Sequence, residues 1–312
     1  MPSLEFTLMV GCPLKCTFCP QDSLRGLYGK NTKYFSFDDF RTVLGKVPKH
    51  VRIDFSGMAE PWANPDATAM LRHALEAGYN MAIYTTLYGM EAEDGEVVTE
   101  LIREHAAQVE VICLHLPDRN GNMRGWKYSP VYEANLIAFI KLGLSGILPR
   151  FEVMTMDAGG KPHQDLDHLG IQLGAWVGHT RAGNVGAEAV PGQAILDMPE
   201  RHGAVTCSFT PFYDQNVILP NGDVVLCCMD YSLQHKVGNL LEQGYYEMYA
   251  SGGLARLISE NMDPTFSRKS LCKTCDRARL HSVGPVKHFW QDRKSTRLNS
   301  SHFQVSRMPS SA

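Results

Sequence analysis

The chain has no apolar run near the roughly 18–20 residues that a membrane span requires, and its amino terminus lacks the charged-then-apolar pattern of a signal peptide. It also lacks a surplus of positive charge. Thirty Lys and Arg stand against 33 Asp and Glu, a formal net charge of −3, so there is no basic footprint for nucleic acid. These absences predict a cytoplasmic protein with neither a membrane nor a nucleic-acid partner. In that compartment the nine cysteines read as metal ligands rather than disulfides. What remains is an ordinary globular composition, 44% hydrophobic and 20% charged over 312 residues, enough for one large α/β domain and a smaller one.

The first half alternates strands and helices. Leu4, Phe6, Leu8 and Val10 lie on one side of a first strand. A polar, glycine-containing linker over Gln21 to Lys33 follows. Ser36, with Asp39 three residues on, forms an N-cap before Phe37, Phe40, Val43, Leu44 and Val47 at helical spacing. Val51–Phe55 is a second strand. Asn64-Pro65 opens a helix that Gly78 stops. Met81–Thr85, Val109–Leu116 and Phe151–Thr155 continue as strands, with helices around Leu101 and from Val131 to Leu142 between them. A short helical stretch near Asp165 leads to a sixth strand over Gln172 to Val177. Such alternation predicts parallel strands with helices outside, without separating an open sheet from a barrel.

Directly after the first strand comes Gly11-Cys12-Pro13-Leu14-Lys15-Cys16-Thr17-Phe18-Cys19. Three thiolates in so tight a loop can wrap one metal centre, whereas a closed iron–sulfur or zinc site takes four protein ligands. One position is left for a small molecule; a zinc knuckle completed by a distant residue is the bland alternative. The spacing, with an aromatic before the third cysteine, resembles the signature of the radical S-adenosylmethionine (SAM) enzymes. The resemblance implies an α/β fold, a partial (β/α)6 barrel with active-site groups at the carboxyl ends of the strands, as in full α/β barrels. It also implies that Cys12, Cys16 and Cys19 hold a 4Fe–4S cluster whose fourth iron is chelated by SAM.

Three further strand-end loops support the resemblance. Ser56-Gly57-Met58-Ala59-Glu60-Pro61 is similar to the family's Gly-Gly-Glu-Pro motif for the SAM amino group, with Ala59 in place of the second glycine. Thr85-Thr86-Leu87-Tyr88-Gly89 stands where the family often has Thr-Asn-Gly, making Thr86 a ribose contact. Thr180-Arg181-Ala182-Gly183-Asn184 offers a guanidinium for the SAM carboxylate. Phe18 joins Glu60, Thr86 and Arg181 as an expected cofactor contact. Cys113 reads as a packed core thiol. His115 and Asp118 flank a strand end as satisfied polar residues that could face substrate.

From about Pro191 the alternation stops. Cys207, an Asn221-Gly222 hairpin signal between apolar runs, Cys227-Cys228, a helix over Tyr245 to Glu260, and Cys272-Lys-Thr-Cys275 follow. This order resembles the family's auxiliary-cluster domains, called SPASM when complete and twitch when short. The pattern Gly-x4-Cys after the hairpin turn selects Cys227 over Cys228. Cys207, Cys227, Cys272 and Cys275 would then hold a second 4Fe–4S cluster, with a zinc ribbon as the alternative. The expected domains are 1–190, the radical SAM barrel, and 191–291, the auxiliary domain. Residues 292–312 (Asp292-Arg-Lys-Ser-Thr-Arg-Leu-Asn-Ser-Ser-His302 onward) resemble a translated sequencing adapter and are expected to be disordered.

As the resemblance implies, the reduced first cluster would split SAM into methionine and a radical that abstracts hydrogen from an unactivated carbon. The expected activity is an oxidoreductase acting on a small polyol, sugar or aminocyclitol. A maturase of peptide or protein side chains, and a non-catalytic iron–sulfur or zinc protein, are the alternatives. A flavodoxin- or ferredoxin-like electron donor completes the expected partners.

Overall fold

A computed structural model of the protein describes residues 1–29, 33–155, 160–171, 173–174, 179–185, 200–265 and 270–281. Its strands, in chain order, are β1 (Ser3–Phe6), β2 (Lys15–Cys16), β3 (Arg52–Phe55), β4 (Met81–Thr85), β5 (Val109–Leu116), β6 (Met123–Arg124), β7 (Phe151–Thr155), β8 (Val205–Cys207), β9 (Gln215–Ile218), β10 (Asp223–Val225), β11 (Lys236–Asn239) and β12 (Ala278–Leu280). The helices are α1 (Gln21–Tyr28), α2 (Phe37–Leu44), α3 (Ala67–Glu76), α4 (Asp94–Glu104), α5 (Pro130–Leu144), α6 (Tyr245–Ala250) and α7 (Gly253–Met262).

One mostly parallel sheet runs in the order β11-β10-β9-β1-β3-β4-β5-β7. The strands β1, β3, β4, β5 and β7 pair in parallel, as the strand–helix alternation requires. Side chains alternate across the sheet. Leu4, Phe6, Ile53, Phe55, Met81, Ile83, Ile112 and Leu114 pack into one core with Phe40, Met70, Leu71, Leu101, Ile102, Leu136 and Phe139 of α2–α5. Burial of each such side chain stabilises the fold by about 1.5–3 kcal/mol. The opposite face is different. Glu5, Thr7, Asp54 and Cys113 are buried there without belonging to that core, and it is this face that carries the site.

Helix starts follow local chemistry. Ser36 Oγ accepts from Asp39 N at 3.1 Å, and Ser129 Oγ caps α5 through Tyr132 N at 3.1 Å with Pro130 next. Asn64 does not begin a helix with Pro65. Its side chain instead ties down Leu8 O and Phe35 O, and α3 starts at Ala67. The expected linker over Gln21 to Lys33 is helical from Gln21 to Tyr28. Gly26 weakens its intrinsic signal, but buried Leu24 packs with Val10, Val217 and Leu219, so tertiary contact decides. The single helix expected from Tyr245 to Glu260 is two, because Gly252 at φ 88° ends the first in a left-handed turn. Of the expected sixth strand, Gly174 bridges Met154 in parallel, and Gln172 and residues 175–177 lie outside the described residues, as does the tail 292–312.

The C-terminal hairpin is not a detached module. β9 pairs in parallel with β1, from Ser3↔Gln215 to Phe6↔Ile218, and β10 and β11 extend the sheet antiparallel. The turn between β9 and β10 places left-handed Gly222 (φ 82°) after Asn221. A short β8–β12 ladder joins Cys207 to Ala278.

Candidate active site

Two groups of cysteines each line a cavity, and Cys228 lines both. Cys12, Cys16 and Cys19 line one cavity with Phe18, Gln21, Met58, Glu60, Thr86, Glu5, Tyr84, His115, Arg181, Cys228 and Tyr231. The loop is held from outside. Lys15 and Cys16 ladder with Arg124 and Met123, Thr17 N donates to Asn122 O at 2.9 Å, and Asp118 Oδ1 accepts from Asn120 N and Asn122 N. Asp118 therefore braces the cysteine loop, one oxygen satisfied and the other, Oδ2, buried without a partner.

Burial pushes the Cys12 thiol up to about 11, and Cys16 well above its ordinary value, with the charges of the other cysteines and Glu60 adding to the effect. Cys12 and Cys16, which resist ionisation alone, form with Cys19 a donor set that needs compensating positive charge, and metal supplies it. Gln21 Oε1 and Arg181 Nε are also buried without partners in this cavity. Among the described residues, no three Cys, His, Asp or Glu converge on a point fit for one metal ion. The thiols are instead spread along a cavity wall beside orphaned polar atoms, and that arrangement fits a polynuclear cluster with a polar ligand.

Glu60 is 5% exposed and collects four donors. Oε1 accepts from Thr85 Oγ1 at 2.6 Å and Trp62 N at 3.2 Å, and Oε2 from Thr86 N at 2.6 Å and Thr86 Oγ1 at 2.7 Å. Burial raises its pKa and these donors oppose the rise. The Thr86 hydroxyl thus holds Glu60. Upstream, Gly57 adopts φ 70°, and a Cβ there would stand 2.4 Å from Thr7 Oγ1. The left-handed residue of this loop is Gly57, not Ala59, which is why alanine is accommodated in place of the second glycine. Arg181, itself at φ 48°, reaches the cavity beside Tyr231, 5.7 Å from its ring centre. Tyr231 was not foreseen from sequence; its hydroxyl lies 3.3 Å from Cys19 Sγ. Gln21 was missed likewise, and its Nε2 donates to Cys19 Sγ at 3.4 Å.

The second group is enclosed. Cys207, Cys227, Cys272 and Cys275 line one small pocket with Tyr213, Leu226, Met229 and Leu271. Thr210 N donates to Cys207 Sγ at 3.3 Å and Arg277 N to Cys275 Sγ at 3.4 Å. Burial lifts Cys272 to about 11 and pushes Cys227 and Cys275 well above the ordinary thiol value. Lys273, between two of these cysteines, is fully buried with Nζ bound to Asp263 O and Gly203 O. Cys227 packs with this group, whereas Cys228 packs with Cys19 and Tyr231 and lines both cavities. Cys113 is a buried strand thiol whose pKa burial raises to about 12. His115 faces the first cavity; Asp118 is not part of its wall.

Both the auxiliary region and the fold as a whole resemble known proteins. Residues 207–276 match the SPASM family model, described as an iron–sulfur cluster-binding domain, and the chain as a whole has the α/β fold of radical SAM enzymes that carry such domains. Among solved structures, the crystal structure of BtrN in complex with AdoMet and 2-DOIA is similar over 91% of this chain and 94% of its own, at 15% identity and a TM-score of 0.58. Native anSMEcpe with bound AdoMet is similar over 88% and 86%, at 14% identity and a TM-score of 0.51. No curated protein matches the chain in sequence. No helix among the described residues is long and apolar enough to cross a membrane.

Proposed function

We propose that the chain is a radical SAM oxidoreductase that oxidises a small polyol, sugar or aminocyclitol. The observation that carries this reading is a single cavity in which Cys12, Cys16 and Cys19 face a floor of hydrogen-bonding side chains, Glu5, Tyr84, His115 and Arg181. Cys12, Cys16 and Cys19 would hold a 4Fe–4S cluster, and Cys207, Cys227, Cys272 and Cys275 a second. When bound, the first cluster and SAM supply one-electron cleavage and removal of a hydrogen atom, chemistry no side chain performs.

The protein's own share is placement. Glu60, held by Thr85 and Thr86, is assigned to the SAM ammonium, and buried Phe18 to packing against the cofactor. Arg181, with an unpartnered Nε, suits a carboxylate or a substrate oxygen. AdoMet is bound in both solved structures named above, and the same ligand is assigned here. The Cys227–Cys228 step joins the two cavities, giving the second cluster a covalent neighbour in the first. That supports its role as acceptor of the substrate's second electron. We assign residues 1–190 to the SAM-binding part and 191–291 to the auxiliary part, with a flavodoxin- or ferredoxin-like protein as donor.

The test is anaerobic reconstitution followed by dithionite and SAM. Slow release of 5′-deoxyadenosine is expected from the wild type and none from Cys16→Ala. Small polyols and aminocyclitols, set against short peptides, should then be the compounds that accelerate it. Tightly bound zinc with no visible absorbance would end the reading.

A further inference from the structure

Glu5 belongs to none of the motifs that mark this fold, yet it is buried at 8% exposure in the cavity wall. β1 carries it inward, because Leu4 and Phe6 face the helices and alternate residues face the cavity. Directly across the parallel β1–β3 pair lies Asp54. The two carboxylates have different partners. Asp54 gives both oxygens to Arg52, at 2.6 Å and 2.8 Å. Glu5 accepts from Gly57 N at 3.3 Å, with the Ser56 hydroxyl and the Cys228 thiol as further hydrogen-bond partners and the Arg181 charge nearby. Tyr84 of β4 and His115 of β5 stand in the same wall. Burial and the charge of Arg181 lower His115 to about 4, so it meets a substrate as a neutral imidazole.

An isolated buried acid would be a structural curiosity; this one shares its cavity with Gln21 Oε1 and Arg181 Nε, both buried without partners. Two unpartnered polar atoms and a buried carboxylate around one space define a polar ligand. We propose that Glu5 is the proton acceptor of the reaction, taking the hydroxyl proton of an alcohol substrate whose adjacent C–H is cleaved. The inference rests on the oxidoreductase reading above. With the cofactors bound, the carbinol hydrogen would leave as an atom to the SAM-derived acceptor, the hydroxyl proton would pass to a Glu5 oxygen, and the oxidised cluster that Cys207, Cys227, Cys272 and Cys275 would hold would take the remaining electron. One C–H and one O–H bond break, and a C–H on the SAM-derived acceptor, the carbonyl π bond and a Glu5 O–H form. Burial, with Asp54 adding, lifts Glu5 to about 7, a value suited to proton transfer near neutrality.

The experiment uses the reconstituted full chain and a panel of inositols, aminoinositols and hexoses. For any compound that yields a carbonyl product, Glu5→Gln should lower kcat by about 10²-fold or more. Its Kd, measured by calorimetry without reductant, should change by no more than about threefold, since the amide still accepts a hydrogen bond. Glu5→Asp should recover part of kcat. The wild-type kcat/KM should rise with pH through a limb at about 7, as the acceptor must be deprotonated, and Glu5→Gln should lose that limb. Iron content and melting temperature show whether each variant is folded. If Glu5→Gln keeps its kcat and pH limb, or loses only affinity, the assignment to Glu5 is overturned while oxidoreductase function stands. If no compound in the panel is oxidised by the wild type, the oxidoreductase reading and this inference fall together.

Discussion

The two cysteine groups are built in opposite ways. The first takes three thiols from one short loop and opens onto a cavity with polar side chains still seeking partners. The second collects four thiols from β8, the end of the β9–β10 hairpin and the turn before β12. Its pocket is smaller and its wall apolar, with Leu226, Leu271 and Met229. Three ligands and an open side are what a centre needs if it must bind a small molecule. Four ligands and an apolar wall are what a centre needs if it must only pass electrons.

The largest effect should come from Cys16→Ala, which leaves about four of about eight irons per chain and abolishes 5′-deoxyadenosine release. Iron analysis with product chromatography measures both. Replacing the adjacent cysteines one at a time sharpens the assignment at the seam. Cys227→Ser should lose the second cluster's visible absorbance, whereas Cys228→Ser should keep the full iron content because its side chain packs toward Cys19 and Tyr231. Gly57→Ala should destabilise the fold by about 2–4 kcal/mol, from a left-handed backbone plus a contact with Thr7 that cannot be relieved cheaply. A drop in melting temperature with unchanged cluster type would measure it. The smallest effect should be Glu60→Gln, which weakens SAM binding by about 1.5–3 kcal/mol, or roughly ten- to a hundredfold, as an equilibrium titration would register.

The parts of this arrangement that could be read from sequence are local. The Cys12–Cys19 loop, the Ser36 cap, the Asn221-Gly222 turn and the strands Met81–Thr85 and Val109–Leu116 are written in adjacent residues, and each is found where expected. Cys227 packs with Cys207, Cys272 and Cys275, and Cys228 with Cys19 and Tyr231. What could not be read depends on contacts between distant segments. Helix α1 forms because Leu24 packs onto the C-terminal hairpin, and Tyr28 Oη accepts from Asn221 N at 2.8 Å, 193 residues away. The pairing of β9 with β1 has no local signature at all. Glu5 and Asp54 carried a usable signal, since acids within strands of a buried parallel sheet conflict with the apolar run expected there. Reading that conflict as a polar interior face would have found the cavity floor.

Electron paramagnetic resonance of the dithionite-reduced protein, with and without SAM, separates the open centre from the closed one. The account predicts two overlapping 4Fe–4S signals in the wild type, of which one shifts when SAM is added. In the variant with Cys12, Cys16 and Cys19 all changed to Ala, the one remaining signal should be indifferent to SAM. In Cys227→Ala the SAM-responsive signal should remain. A SAM-dependent shift that survives loss of the three N-terminal cysteines, or a wild-type spectrum in which neither signal moves, would contradict the division into an open and a closed centre.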